Sequence, residues 1–120
     1  MKNQTVVIGA STNPERYSNK AIKLLREYGH PTFGISSKEG IVSDVELQTG
    51  KPKLEDIDTV SLYLSSENLK DMEDYILSLK PKRIIFNPGA ENFEFMQRVK
   101  AAGIEVISAC TLVMLKTDQY

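Results

Sequence analysis

The chain has 120 residues, 41% of them hydrophobic and 26% charged, with a formal net charge of -1, which describes one ordinary globular domain with no room for a second, catalytic one. Acidic and basic residues are mixed along it without a basic stripe, which argues against nucleic-acid binding as the main role, and no apolar run is long enough to span a bilayer. One cysteine, Cys110, and one histidine, His30, exclude an internal disulfide framework and leave no cluster for a zinc site.

Met1 is followed within a few residues by an apolar segment, without a basic n-region or cleavage site, so a cytoplasmic location is expected. Thr5 to Ile8 is a short β-branched run ending at Gly9, the pattern of a strand buried on both faces of a parallel sheet. From Tyr17 the apolar residues Ala21, Leu24, Leu25 and Tyr28 fall on one helical face, and Gly29 with His30-Pro31 ends that helix. Thr32 to Ile35 reads as the second strand. Ser36 to Asp58 contains Gly40, Gly50 and Pro52 and reads as a long connection, with a short strand near Val45 to Leu47 and a turn of helix near Leu54 to Ile57.

Thr59 to Leu64 is the expected third strand. The helix after it starts at Ser65 or Ser66, where a hydroxyl can cap free N–H groups, buries Leu69, Met72, Ile76 and Leu79, and stops at Lys80-Pro81. Arg83 to Phe86 follows as a strand, and Glu91 to Ala102 as a helix with Phe95, Met96, Val99 and Ala102 inward. Ile104 to Ile107 is the fifth strand. This alternation predicts right-handed β-α-β units in a single domain: a Rossmann-like, doubly wound parallel sheet of about five strands in an α/β/α sandwich. Its ligand crevice would lie at the carboxyl ends of the strands, where strand order reverses.

The loops that follow the strands are small, polar or basic. Gly9-Ala10-Ser11-Thr12-Asn13 joins the first strand to a helix N-terminus, a place where backbone N–H groups and the helix dipole favour a phosphate. It is not a full dinucleotide fingerprint, because Ser11 and Pro14 stand where G-x-G-x-x-G has its second and third glycines. After the second strand, Ser36-Ser37-Lys38 replaces the acidic residue that reads the ribose hydroxyls of NAD. Hydroxyls followed by an ammonium suit a phosphorylated ribose, as in NADP or in the 3′-phosphorylated ADP of coenzyme A. Arg16 either clamps a phosphate oxygen or is a surface residue of the loop, and Lys38 likewise either meets the ligand or is solvated.

V-V-I-G-A-S-T-N-P at Val6 to Pro14 with Arg16 and Ser18, I-S-S-K at Ile35 to Lys38, L-E-D-I at Leu54 to Ile57, Ser65-Ser66-Glu67, Asn87-Pro88-Gly89 and A-G-I-E-V-I before Cys110 occur together in one order. With them the chain resembles, over nearly its whole length, the small stand-alone coenzyme A-binding proteins whose Rossmann domain also forms the N-terminal part of the succinyl-CoA synthetase alpha subunit. The resemblance implies that Gly9 to Asn13 hold the pyrophosphate, that Lys38 meets the ribose phosphate, and that residues after the third and fourth strands, Ser65 and Asn87 to Gly89, meet the adenine or the pantetheine arm. Many members carry Arg where this chain has Leu64, Gln-Leu where it has Asn87-Pro88, and Asp-Arg where it has Ser108-Ala109.

Cys110 follows the fifth strand on the crevice side. It is either a small buried residue or a thiol near the end of bound coenzyme A, able to form a mixed disulfide under oxidation. His30, between Gly29 and Pro31, is expected in a surface turn, and Tyr17, Tyr28, Tyr63 and Tyr75 in core or boundary packing, with Tyr17 able to cover a ligand. No nucleophile and general base can be assembled from these residues. The leading expectation is therefore a module that binds coenzyme A or an acyl-CoA. An NADP-binding oxidoreductase or redox sensor and a ligand-free interaction scaffold stand as alternatives. A homo-oligomer through helix faces such as that of Phe93 and Phe95, or a partner acyl-CoA enzyme, stays open.

Overall fold

The computed structural model describes residues 3–120. A seven-stranded sheet forms its centre, from β1 (Thr5–Ile8), β2 (Thr32–Ile35), β3 (Gly40–Val42), β4 (Val45–Gln48), β5 (Thr59–Leu62), β6 (Arg83–Phe86) and β7 (Glu105–Ser108), in the order β3-β4-β2-β1-β5-β6-β7. Every neighbouring pair is parallel except β3 with β4. The central strand β1 pairs Val6 with Phe33 on one side and with Val60 on the other. Because successive side chains point to opposite faces, Val6 and Ile8 enter one core and Val7 the other.

Helices cover both faces: α1 (Tyr17–Glu27), α2 (Ser66–Leu69), α3 (Glu73–Ser78), α4 (Phe93–Ala101) and α5 (Thr111–Lys116). The larger core joins Ile8, Val60, Leu62, Ile84 and Phe86 of the sheet to Leu69 and Ile76 of α2 and α3 and to Phe95 and Val99 of α4. The other joins Val7, Val42 and Leu47 to Ile22 and Leu25 of α1 and Leu115 of α5. This is the Rossmann-like α/β architecture expected from the strand and helix alternation. Among the described residues no helix is long and apolar enough to cross a membrane.

Several local expectations need correction. β3 adds a strand, because its three residues depend on antiparallel pairing with β4 rather than on any local pattern. The short strand expected near Val45 to Leu47 is β4, whereas Leu54 to Ile57 is not helical: Ile57 plugs the core, Asp56 takes a φ of 58°, and Glu55 O accepts from Gln4 Nε2. The helix after β5 is interrupted by a 3-10 turn at Lys70–Met72, which apolar periodicity cannot distinguish over three residues. The unexpected α5 is set in place by Asn87, the residue that follows β6, whose Oδ1 accepts the Thr111 N–H.

His30 is buried rather than on the surface: its Nδ1 accepts the Asn3 N–H at 2.9 Å, and its ring meets Tyr120 edge to face. Tyr17 and Tyr28 are exposed rather than packed, and Ala102 faces solvent. In α4, Phe95 belongs to the core while Phe93 is exposed.

Candidate nucleotide-binding cleft

A cleft of about 1120 Å³ opens at the carboxyl ends of β1, β2 and β5. Strand order reverses across β1, so the connections from β2 and β5 leave on opposite sides and a crevice remains above the sheet. Gly9, Ala10, Ser11, Thr12 and Asn13 form its floor with Arg16 and Ser18 of the helix start, and Ser36, Ser37 and Lys38 form one wall. Ser65 and Pro88 stand on the other. Leu64, the position where many family members carry Arg, lines that wall too, with Met72, which was expected only in the helix core, and Asn68, which the sequence did not single out.

Gly9 shows why the chain turns here. Its φ is +94°, and a Cβ added to it would lie 3.0 Å from the carbonyl carbon of Tyr63, so both the backbone conformation and the close approach of β5 require glycine. The Gly9 and Ala10 N–H groups both donate to Ile35 O, at 3.0 and 2.9 Å, and so are spent inside the protein. The Asn13 N–H donates to Ser11 Oγ and the Glu15 N–H to Asn13 Oδ1. Among the described residues no acceptor is found for the N–H groups of Ser11, Thr12, Tyr17 and Ser18.

Helix α1 carries no side-chain cap and no acidic residue in its first turn. Its positive end is therefore left for an external anion. Among the lining residues Lys38 and Arg16 are cationic and Glu15 is the carboxylate. The donor set fits a phosphate or diphosphate group, with Lys38 on the β2 wall available to a second phosphate.

Three expected site residues do not line the cleft. Asn87 is 1% exposed and its side chain is fully engaged: Nδ2 donates to Ser61 Oγ and to Leu62 O, both at 3.0 Å, and Oδ1 accepts the Thr111 N–H at 2.8 Å. It ties α5 to the sheet instead of facing a ligand. Gly89 lies in the loop before α4, its N–H donating to Glu91 Oε1. Cys110, a half-buried free thiol, occupies the N-cap position of α5.

Ser65 lines the cleft while also capping α2, its Oγ accepting from Asn68 N at 3.4 Å. Tyr63 contributes a less obvious feature. Its hydroxyl is buried without a hydrogen-bond partner among the described residues, and burial pushes the phenol up to about 12.

A family model described as a CoA binding domain matches residues 3–116. The crystal structure of an uncharacterized protein superposes with a TM-score of 0.97 at 38% identity, covering 100% of this chain and 99% of the other. A hypothetical protein from Pyrococcus horikoshii OT3 (TM-score 0.86, 19% identity, 97% of this chain and 83% of that one) shares the fold. So does a Thermus thermophilus protein (TM-score 0.84, 22% identity, 98% and 91%). No curated protein matches the chain.

Proposed function

Since the chain belongs to the CoA binding domain family, we propose that it binds coenzyme A or an acyl-CoA in the cleft above β1, as a binding module without catalytic residues of its own. The observation that carries this reading is the group of N–H donors at Ser11, Thr12, Tyr17 and Ser18 with no acceptor among the described residues, gathered around an uncapped helix end in the same cleft as Lys38. In this reading the diphosphate lies on the Ser11 to Asn13 loop and the start of α1, and the ribose 3′-phosphate meets Ser36, Ser37 and Lys38. The apolar Leu64, Met72 and Pro88 wall takes the adenine or the start of the pantetheine arm.

Thermal unfolding with coenzyme A, dephospho-coenzyme A, NAD and NADP tests it, because a ligand selective for the native state raises its midpoint. Coenzyme A should raise the midpoint most, and the advantage over dephospho-coenzyme A should vanish in Lys38→Ala. A shift with NADP alone would replace the reading with an NADP-binding protein. The absence of a shift with all four would leave an interaction scaffold.

A further inference from the structure

Asn19 lies on the inward side of α1 with 2% of its surface exposed. Its Nδ2 donates to the carbonyl oxygen of Ser11 at 2.9 Å, while its Oδ1 is buried without a partner among the described residues. The two amide atoms cannot be exchanged, since a reversed amide would set an oxygen against the Ser11 oxygen, acceptor against acceptor. A buried amide with an unsatisfied acceptor is a cost to folding. Packing alone does not call for an amide here.

The consequence of the contact lies in the next peptide unit. In a trans peptide the C=O and the following N–H point in opposite directions within one plane, and no cis bond occurs among the described residues. Holding the Ser11 oxygen toward α1 therefore turns the Thr12 N–H away from the protein interior. That N–H has no protein acceptor among the described residues, and Thr12 lines the cleft. From the other side Thr12 rests on β3, where its Cγ2 would lie 2.4 Å from a Cβ added to Gly40.

We propose that Asn19 is a positioning residue of the cleft, which presets the Ser11-Thr12 peptide so that the Thr12 N–H is aimed at an incoming phosphate or diphosphate. The identity of the ligand rests on the coenzyme A reading; the anion preference of the loop does not. Such a donor needs no reorientation on binding, so the ordering cost is met during folding rather than at association. Gly40 serves the same end by leaving room for the Thr12 methyl group.

The test uses the full chain and two variants, Asn19→Asp, which keeps the shape and removes the donor, and Asn19→Ala, which removes it without adding charge. Affinities for coenzyme A, inorganic pyrophosphate and adenosine 3′-monophosphate are measured by calorimetry, and the Thr12 amide is followed by NMR during each titration. Wild-type protein should show a large Thr12 amide shift with coenzyme A and with pyrophosphate. The variants should lose roughly 10- to 100-fold in affinity for those two ligands, as expected for one charge-assisted hydrogen bond, and should keep the wild-type affinity for adenosine 3′-monophosphate.

Retention of pyrophosphate and coenzyme A affinity within about twofold in a folded variant would overturn the proposal. Equal losses for all three ligands would do so too, because they mark a merely structural residue. If coenzyme A fails to bind wild-type protein while pyrophosphate moves the Thr12 amide only when Asn19 is present, the coenzyme A reading falls and the role of Asn19 stands. If neither ligand moves that amide in wild-type protein, both fall. Should Asn19→Asp not fold, Asn19→Ala decides by the same criteria, and unfolding of both variants counts against a role confined to positioning.

Discussion

Asn87 and Thr111 are joined by a hydrogen bond of 2.8 Å in which the side-chain oxygen at the end of β6 accepts the first backbone N–H of α5. The same amide donates to Ser61 Oγ and Leu62 O, and Ser61 Oγ lies 2.8 Å from Thr111 Oγ1. All three side chains are buried, so each hydrogen bond replaces a water contact that is no longer available. Asn87→Leu would leave Thr111 N–H and Leu62 O without this partner. It should lower stability by roughly 2–4 kcal/mol, measured by urea denaturation.

Gly9→Ala should be costly for two separate reasons, a φ of +94° and a Cβ 3.0 Å from the Tyr63 backbone. Strain at such a conformation together with forced displacement of β5 amounts to roughly 2–5 kcal/mol. Chemical denaturation should show the loss in the absence of any ligand. An Ala variant as stable as the parent would mean that the turn can relax.

Coenzyme A affinity should fall as salt rises, because Lys38 and Arg16 are exposed and their attraction for phosphates is screened. Lys38→Ala should weaken coenzyme A by about tenfold at low salt, consistent with one exposed charge-assisted contact, and should flatten the salt dependence. Calorimetry at several ionic strengths measures both effects. An unchanged salt profile in the variant would remove Lys38 from the site.

Tyr63→Phe should leave stability at neutral pH unchanged or raise it by about 1 kcal/mol, because the hydroxyl that it deletes is buried without a partner among the described residues. The pH dependence follows from the same burial, which raises the phenol from 10.0 to about 12. A raised value in the folded state means that the protonated phenol contributes its full stability below the unfolded value, and that this contribution is lost as pH rises from 10 toward 12. In Tyr63→Phe the alkaline loss between those pH values should be smaller, as followed by circular dichroism.

Tyr120 is clamped at the opposite, amino-terminal end of the strands. Its ring lies 4.9 Å from that of His30 and 4.5 Å from the Arg83 guanidinium, and its hydroxyl is hydrogen-bonded to Thr5 Oγ1. Tyr120→Ala should reduce stability by roughly 2–4 kcal/mol through lost packing and cation–π attraction. Because Thr5 and Arg83 begin their strands while the cleft lies beyond the strand ends, coenzyme A affinity should be unaffected. A parallel loss of affinity would reveal coupling between the two ends of the sheet.

Much of this was legible along the chain because it is local. Thr5 to Ile8, Thr32 to Ile35 and Arg83 to Phe86 are strands at their expected bounds, since β-branched and apolar runs closed by glycine or polar residues have few other outcomes. The Gly9 loop and Ser36 to Lys38 meet in one cleft because strand order brings the ends of β1 and β2 side by side. The departures are non-local. β3 exists through its pairing with β4, α5 begins where Asn87 reaches it, and His30 is buried because Asn3 and Tyr120 close over it.

Composition and apolar periodicity by themselves determined the Rossmann-like α/β fold, because those signals act between residues a few positions apart. Only the tertiary structure decided which polar groups remain available. Asn87 is consumed inside the protein and Asn19 is recruited beneath the loop, since hydrogen bonds between distant segments are allotted by packing, and packing leaves no trace in local spacing.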